Sequence, residues 1–239
     1  MRGVCVSLAR RGYAIAANYR APRGHADETV RAVRAVSGTV RAFEADVSDP
    51  QQAMRLVASV QEAFGDIDVL VAGAGPMIVK DAFDMTIAEF REMIDGNLGS
   101  LFFCAKAVLP RMRERRFGRI IGFGMTGSTA TMGARHLAAY AAAKAGVVAL
   151  IRSLALEEGP HGVTCNAINI GDIRDKDADR TAVLERRNYR NPTTRPGSWE
   201  DVGDAVAYLA SDEASFINGA VLDVNGGWQG FLAEHARWP

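Results

Sequence analysis

The chain has 239 residues, of which 48% are hydrophobic and 23% charged, a composition typical of a globular protein with one large core. Lysine and arginine together number 28, as do aspartate and glutamate, so the net charge favours neither nucleic acid nor a membrane surface as a partner. The three cysteines, Cys5, Cys104 and Cys165, are widely spaced, which argues against a disulfide framework and a metal site. No apolar run reaches the ~18 residues of a membrane helix. We therefore expect one cytoplasmic domain, 1–239, that binds small molecules or other proteins, with no nucleic-acid, membrane or metal partner.

Runs rich in Val, Ile and Ala alternate with helix-period segments, a pattern typical of a parallel sheet covered by helices on both faces. The first predicted element is a helix, 4–11, and no strand precedes it. Predicted strands follow at 13–19, 39–45, 68–72, 119–123, 163–168 and 220–224. Further helices are predicted at 25–36, 50–64, 87–114, 138–158 and 199–210. We therefore expect an α/β fold with a doubly wound, Rossmann-like parallel sheet that lacks its usual first strand.

One long segment, 172–196, is polar and rich in arginine, and its periodicity is weak. Long irregular insertions of this kind often cover active sites. We expect it to form a loop, or short helices, that acts as a substrate lid over the carboxyl edge of the sheet.

The stretch GFGMTG, 122–127, matches the dinucleotide pattern G-x-G-x-x-G. That pattern binds a pyrophosphate only where it turns a strand directly into the N-terminus of a helix. A strand is predicted before the stretch, but STATMGARH separates it from the next helix, and the residue ~20 positions on is Val147 rather than an acid. The stretch is therefore not predicted to be the phosphate loop.

Tyr140 and Lys144 lie four residues apart in an alanine-rich helix, so their side chains should share one face. A nearby ammonium favours the phenolate and should lower the pKa of Tyr140 from about 10, which would make it a usable proton donor or acceptor. In an arbitrary protein such a pair is more often an exposed lysine beside a half-buried tyrosine. The surrounding sequence must decide.

With this pair, the chain resembles the short-chain dehydrogenase/reductase family, and most of all its bacterial members similar to 3-oxoacyl-carrier-protein reductases. The resemblance runs from about residue 3 to Trp228. It rests on ARRGYAIAANYR, EADVSD, DVLVAGAG, GNLGSLFFCAKAVLP, GRIIGFG, AAYAAAKAGVVALIRSLALE, NAINIGDI and DVGDAVAYLASDEASFINGAVLDVNGGW. It implies hydride transfer between a nicotinamide cofactor and a small carbonyl or alcohol substrate, in a homotetramer or dimer.

The resemblance also implies roles for individual residues. Tyr140 would be the catalytic acid, Lys144 would bind the nicotinamide ribose and tune Tyr140, and Asn97 would anchor a proton-relay water beside Lys144. Asp46 and Val47 would meet the adenine. The full cofactor-binding set implied is Arg20, Asp46, Val47, Gly73, Gly75, Asn97, Tyr140, Lys144, Gly171 and Ile173.

The family's catalytic serine has no obvious counterpart here. Counting forward from GRII puts Met125 at its place, whereas counting back from Tyr140 gives Gly127, and neither side chain donates a hydrogen bond. Thr126 and Ser128 are the adjacent hydroxyls. A local insertion of about two residues would bring Ser128 into the catalytic role; the alternative is that both hydroxyls only shape the loop.

The end of the first predicted strand bears on the type of cofactor. An acid there would bind a ribose 2′-hydroxyl, whereas Asn18-Tyr19-Arg20 offers a guanidinium suited to a 2′-phosphate. We therefore expect NADP rather than NAD, although Arg20 can equally be a solvated loop charge.

The chain departs from the family pattern around the cofactor. The first strand and its glycine turn are absent, Ala72-Gly73-Ala74-Gly75 replaces Asn-Asn-Ala-Gly, and Ile170 replaces the proline before Gly171. One explanation is that the given start is a truncation of a chain with an ordinary glycine turn. The other is a non-redox protein on the same scaffold, such as a cofactor-free isomerase, a lyase or a binding subunit.

Overall fold

The architecture is that of a computed structural model, which describes residues 1–20, 22–171, 173, 178–186 and 191–227. The helices are α1 (Arg2–Arg10), α2 (Gly24–Ala35), α3 (Pro50–Phe64), α4 (Ile87–Ile94), α5 (Ser100–Arg115), α6 (Ala138–Glu158), α7 (Arg180–Leu184) and α8 (Trp199–Ala210). The strands are β1 (Ile15–Tyr19), β2 (Val40–Glu44), β3 (Val69–Ala72), β4 (Gly118–Met125), β5 (Val163–Ile170) and β6 (Val221–Val224). Two expectations concern residues outside the described ones: Trp228 at the end of the resemblance, and 172, 174–177 and 187–190 within the expected lid.

All strand pairs are parallel, as the alternation of strands and helices predicts. They form a two-stranded sheet, β1-β2, and a four-stranded sheet in the order β3-β4-β5-β6. The prediction of a parallel, doubly wound α/β fold is therefore confirmed. Because β4 and β5 are buried along nearly their whole length, they form the centre of the larger sheet.

The two sheets do not share a strand, and apolar packing holds them together. Among the described residues, no strand pairs the free edges of β1 and β3. One buried cluster joins them, because it contains Ile15 and Ala17 of β1, Ile121 and Phe123 of β4, and apolar residues of α1 and α8. Side-chain burial, rather than a continuous ladder of backbone hydrogen bonds, therefore fixes the sheets relative to each other.

The segment predicted as a helix over 87–114 is helical throughout, but a π-helical turn divides it. Helix α4 ends at Ile94, a π-helical turn covers Asp95–Gly99, and α5 begins at Ser100. The Asn97 amide donates hydrogen bonds to the carbonyls of Pro76 and Met93, at 2.9 and 3.0 Å. Because this side chain competes with the helix for backbone carbonyls, the turn is widened by one residue.

Helix α6 is the longest helix among the described residues and lies against the centre of the sheet. Together with the following turn, 138–161, it is long and apolar enough to cross a membrane by length and composition, a test that core helices of globular proteins also pass. Half of its most apolar window is buried inside the protein. Val147 and Ile151 of this helix belong to the apolar cluster over β4 and β5.

The free strand edges generate a prediction for amide hydrogen exchange. The Ile15 N–H donates to the carbonyl of Thr39 across the β1-β2 pair, so with a period of two the amides of Ala16 and Asn18 point away from β2. We expect these two amides to exchange about a hundredfold faster than those of Ile15 and Ala17, because within the described part of the chain only the latter pair with another strand. Residue-resolved exchange by NMR measures this. Equal protection of the two sets would show that another segment pairs with β1.

Candidate active site

Helix α6 carries Tyr140 and Lys144 to the carboxyl end of β4. The Lys144 side chain is only 7% exposed, and its Nζ donates a hydrogen bond of 2.9 Å to the carbonyl of Phe123. The same Nζ lies 5.5 Å from the centre of the Tyr140 ring. The two side chains therefore share one face of the helix, as their spacing predicts, and the lysine fixes that face to the sheet.

Burial changes the proton affinity of both groups. It lowers the pKa of Lys144 from 10.5 to about 8 and raises the pKa of Tyr140 above its ordinary value of 10. The expectation that the ammonium lowers the pKa of Tyr140 is wrong for this structure, because the Lys144 amine is directed at the Phe123 carbonyl and desolvation of the phenol dominates. Tyr140 therefore keeps its proton at neutral pH.

Asn97 lies beside the end of β3, in the π-helical turn. It is buried, and its Oδ1 has no hydrogen-bond partner among the described residues. A Cβ on Gly75 would overlap this oxygen, and Gly75 has a φ of +156°, so only glycine suits the position. An unpaired buried acceptor costs about 1–3 kcal/mol, so a donor such as a water molecule would stabilise it.

Two hydroxyls lie in the loop after β4. The Met125 N–H donates to Ser128 Oγ at 2.9 Å, whereas the Thr126 hydroxyl donates to the carbonyl of Ile170 at 3.3 Å. Both residues are buried. Since Ser128 uses its oxygen as an acceptor, its proton has no acceptor among the described residues, while the proton of Thr126 is engaged. Of the two, Ser128 is better able to donate a hydrogen bond.

Packing and backbone conformation explain why each of the three GFGMTG positions is glycine, without a bound phosphate. A Cβ on Gly122 would lie 3.2 Å from Val147 and Ile151 of the packed helix α6. A Cβ on Gly124 would overlap the amide oxygen of a buried asparagine on β5, and Gly127 adopts a φ of +89°. The prediction that no helix follows at once is confirmed, because only a short 3₁₀ turn, Ser128–Ala130, precedes α6.

Three predicted cofactor residues meet at the ends of β1 and β2. Arg20 Nη1 lies 3.5 Å from Asp46 Oδ2, and Val47 is buried beside them. Hydrogen bonds from the hydroxyl and amide of Ser48 lower the pKa of Asp46, and Arg20 adds to this effect. The Arg20 side chain is 63% exposed, so its remaining N–H groups can reach an anionic ligand.

Three further predicted cofactor residues, Gly73, Gly171 and Ile173, make contacts within the protein. The Met1 side chain lies against Gly73. The Gly171 N–H donates to the carbonyl of Val224 at 3.0 Å, and Ile173 packs at the margin of the core that joins the sheets. These residues lie at or just after strand ends, where ligands of open α/β sheets bind.

The residues present fit the two ends of a nicotinamide dinucleotide. An exposed guanidinium, Arg20, lies at one end, and the buried Lys144 and the side-chain-free Gly75 lie toward the other. No three His, Cys, Asp or Glu side chains among the described residues are placed to hold a metal ion.

A polar cluster on β5 and β6 was not predicted. Asn169 is fully buried, and its Nδ2 donates to Asp223 Oδ1 at 2.8 Å and to Thr129 Oγ1 at 3.1 Å. Buried amides are costly unless they are hydrogen-bonded. The strand was predicted over 163–168, so Asn169 lay one residue beyond it, and its burial in β5 was not expected. Its partners lie 40 and 54 residues away in sequence and give no local pattern.

Comparisons with known proteins agree with this fold. A family model described as enoyl-(acyl carrier protein) reductase matches residues 2–229. The 3-oxoacyl-[acyl-carrier-protein] reductase FabG of Staphylococcus aureus (strain N315) is 34% identical over 230 residues, which cover 95% of this chain and 92% of the relative. The L-rhamnose 1-dehydrogenase (NAD(P)(+)) of Sphingomonas sp. (strain SKA58) is 33% identical, with 95% and 90% covered. The crystal structure of acetoin dehydrogenase YohF from Salmonella typhimurium matches with a TM-score of 0.86 at 26% identity, covering 100% of this chain and 93% of that one.

The lowered pKa of Lys144 predicts a pH dependence of stability. Between about pH 8 and 10.5 the folded protein has lost this proton and the unfolded chain still holds it, so the free energy of unfolding should rise with pH in that window. We expect Lys144→Met to remove this rise. Chemical denaturation across the window measures it, with Lys106→Met, which removes an exposed lysine, as the matched control. Identical pH profiles for wild type and Lys144→Met would contradict the burial of the amine.

Proposed function

The chain belongs to the short-chain dehydrogenase/reductase family, and from this premise we propose an NADP-dependent oxidoreductase that reduces a carbonyl or oxidises an alcohol, with Tyr140 as the acid/base. The observation that carries the proposal is the buried pair of Tyr140 and Lys144 at the carboxyl end of β4. The relatives are named for an acyl-carrier-protein substrate, a sugar and acetoin. A carbonyl or alcohol group is what these compounds share.

Each catalytic side chain has a distinct role in this proposal. The bound nicotinamide cofactor supplies the hydride for reduction and accepts it in oxidation. Tyr140, kept protonated by burial, donates its proton to the carbonyl oxygen, and Ser128 donates its free O–H to the same oxygen. Lys144, whose pKa of about 8 leaves it charged at neutral pH, stabilises the phenolate that forms. Asn97 Oδ1 accepts a hydrogen bond from a relay water that returns the proton to this site.

The cofactor would lie along the carboxyl ends of the strands. We assign its 2′-phosphate to Arg20, because the exposed guanidinium is the cation at the end of β1 and a phosphate matches its donors. Asp46 and Val47 would contact the adenine, and Gly75 the adenosine ribose. The remaining proposed contacts are Gly73, Asn97, Tyr140, Lys144, Gly171 and Ile173.

A second function has one observation in its favour. The Met1 side chain lies against Gly73, one of the predicted cofactor residues. A protein that binds no dinucleotide would still have Tyr140 as an acid/base. In that case the chain is a non-redox isomerase, lyase or binding subunit on the same scaffold.

We propose one domain, 1–239, in which 172–196 covers the substrate. The described parts of this segment are fastened to α8 by ion pairs. Arg180 Nη2 lies 2.7 Å from Asp204 Oδ2, and the Arg195 guanidinium donates two hydrogen bonds to the Asp201 carboxylate, at 2.7 and 3.0 Å. These pairs hold positions 180 and 195 of the segment against α8.

We also propose that the protein is a cytoplasmic homotetramer or dimer. Large apolar side chains are exposed on α4, α5 and the loop before them, including Val79, Phe83, Ile87, Phe90 and Phe102. Grouped exposed apolar residues favour burial against another subunit. The free cysteines fit a reducing compartment.

Replacement of Tyr140 tests the proton-transfer role. Tyr140→Phe should lower kcat for carbonyl reduction about 100-fold or more, because it removes the phenolic proton that the proposal transfers to the carbonyl oxygen. The Kd for NADPH should change less than about twofold. Steady-state kinetics and fluorescence titration measure the two quantities. Tyr208→Phe, at an exposed tyrosine of α8, is the control, and wild-type turnover by Tyr140→Phe would exclude the assigned role.

Replacement of Arg20 tests the cofactor type. Arg20→Ala should weaken NADPH binding about tenfold or more, because a charge-assisted bond to phosphate is lost, and should leave NADH binding nearly unchanged. Arg23→Ala is the matched control, since Arg23 is a nearby arginine already paired with Asp27. Equal weakening of both cofactors by Arg20→Ala would show that Arg20 does not read the 2′-phosphate.

A further inference from the structure

A cavity of about 510 Å³ opens at the carboxyl edge of the larger sheet. One wall is the loop that follows β4, including Thr126, Thr129 and Met132. The opposite wall is the end of β6, with Asp223 and Asn225. Tyr140 is not among the described lining residues, but the wall loop is the one that contains Ser128. The cavity therefore adjoins the loop of the proposed reaction centre, and Asn225 on its opposite wall packs against Gly171, a predicted cofactor residue.

The carboxylate at this cavity is held in a fixed position from within the core. Asn169 is 0% exposed, and both hydrogens of its amide are used, one on Asp223 Oδ1 and one on Thr129 Oγ1. Asn169 therefore ties the two cavity walls together. A fully buried amide in a central strand is less favourable for folding than an apolar residue would be. The cluster therefore serves to orient Asp223 and Thr129 more than to stabilise the fold.

The neighbouring strand is adapted to this asparagine. Gly124 on β4 is the register partner of Asn169 on β5, and a Cβ on Gly124 would overlap the Asn169 amide oxygen. This close approach fixes the rotamer of Asn169. The hydrogen bond from the Asn169 amide then orients the Asp223 carboxylate. Gly124 on β4 and Asn169 on β5 together fix the position of the Asp223 carboxylate.

The polar atoms left over at the cavity define what it can bind. Asp223 is exposed, and its second oxygen accepts no hydrogen bond among the described residues. The Thr129 oxygen accepts from Asn169, which leaves its O–H available as a donor. The described lining residues include the Asp223 carboxylate and no lysine or arginine, so among them an anionic group would meet a negative charge without a compensating cation.

We propose that this cavity binds the part of the substrate remote from the reacting carbonyl, and that this part is uncharged and carries hydroxyl groups. Asp223 accepts hydrogen bonds from those hydroxyls and Thr129 donates to one. The inference rests on the proposed function for the carbonyl end of the substrate. It selects small hydroxylated ketones, aldehydes or polyols over acyl thioesters and substrates with a carboxylate or phosphate.

A matched pair of ketones tests the inference with the full chain and NADPH. We expect kcat/KM for 3,4-dihydroxy-2-butanone to exceed that for 2-butanone and for acetoacetyl-coenzyme A by about tenfold or more. Asp223→Ala should raise KM for the dihydroxy ketone about tenfold, with kcat little changed, and should leave 2-butanone unaffected. Asp212→Ala is the matched control, because its exposed carboxylate pairs with Arg119 at the start of β4, at the opposite edge of the sheet.

Thr129→Val provides a second variant that leaves the pair of Asn169 and Asp223 in place, and it should show the same selective effect on the dihydroxy ketone. If Asp223→Ala slows both ketones equally, its role is structural and the inference is overturned. If the wild type reduces 2-butanone or acetoacetyl-coenzyme A as well as the dihydroxy ketone, the inference fails while the proposed function stands.

If no carbonyl compound is reduced, the proposed function fails, and the cavity is tested by binding alone. Saturation-transfer NMR with erythritol should then show contact with the wild type and with Asp212→Ala, and loss of contact with Asp223→Ala. An absence of contact with the wild type would overturn the inference independently of turnover.

Discussion

The hydrogen bond from Lys144 to the carbonyl of Phe123 is the constraint on which the site depends. It joins helix α6 to the central strand β4 at the strand's carboxyl end. Burying an amine is unfavourable, and the apolar packing of Val147 and Ile151 further along the helix offsets that cost. The position of Tyr140, its burial and its raised pKa all follow from holding this face of α6 against the sheet.

The same edge of the sheet shows a second recurring arrangement, a buried asparagine seated against a glycine. Asn97 lies against Gly75 at the end of β3, and Asn169 lies against Gly124 on β4. In each case the missing Cβ makes room for an amide oxygen, and the amide nitrogen then bonds groups on another element. The glycines of GFGMTG are therefore explained by helix packing, by Asn169 and by a left-handed turn, and the match to a phosphate-binding pattern is coincidental.

Much of the fold was predictable because it follows from the local periodicity of apolar residues in the sequence. The parallel strands, the long helix α6 and the shared face of Tyr140 and Lys144 follow from alternating apolar runs and i, i+4 spacing. The π-helical turn at Asn97 was not predictable, because one added residue hardly changes the apolar pattern of a helix. The direction of the Lys144 amine depends on tertiary packing. Hence the pKa of Tyr140 was predicted with the wrong sign from spacing alone.

The central claim is that the edge built around Tyr140 and Lys144 serves a nicotinamide dinucleotide, and direct titration of the purified 239-residue chain tests it. Fluorescence of NADPH and NADH should show saturable binding, with NADPH bound more tightly because of Arg20. The absence of saturable binding of either cofactor up to millimolar concentration would contradict the claim and would favour a non-redox role for the same scaffold.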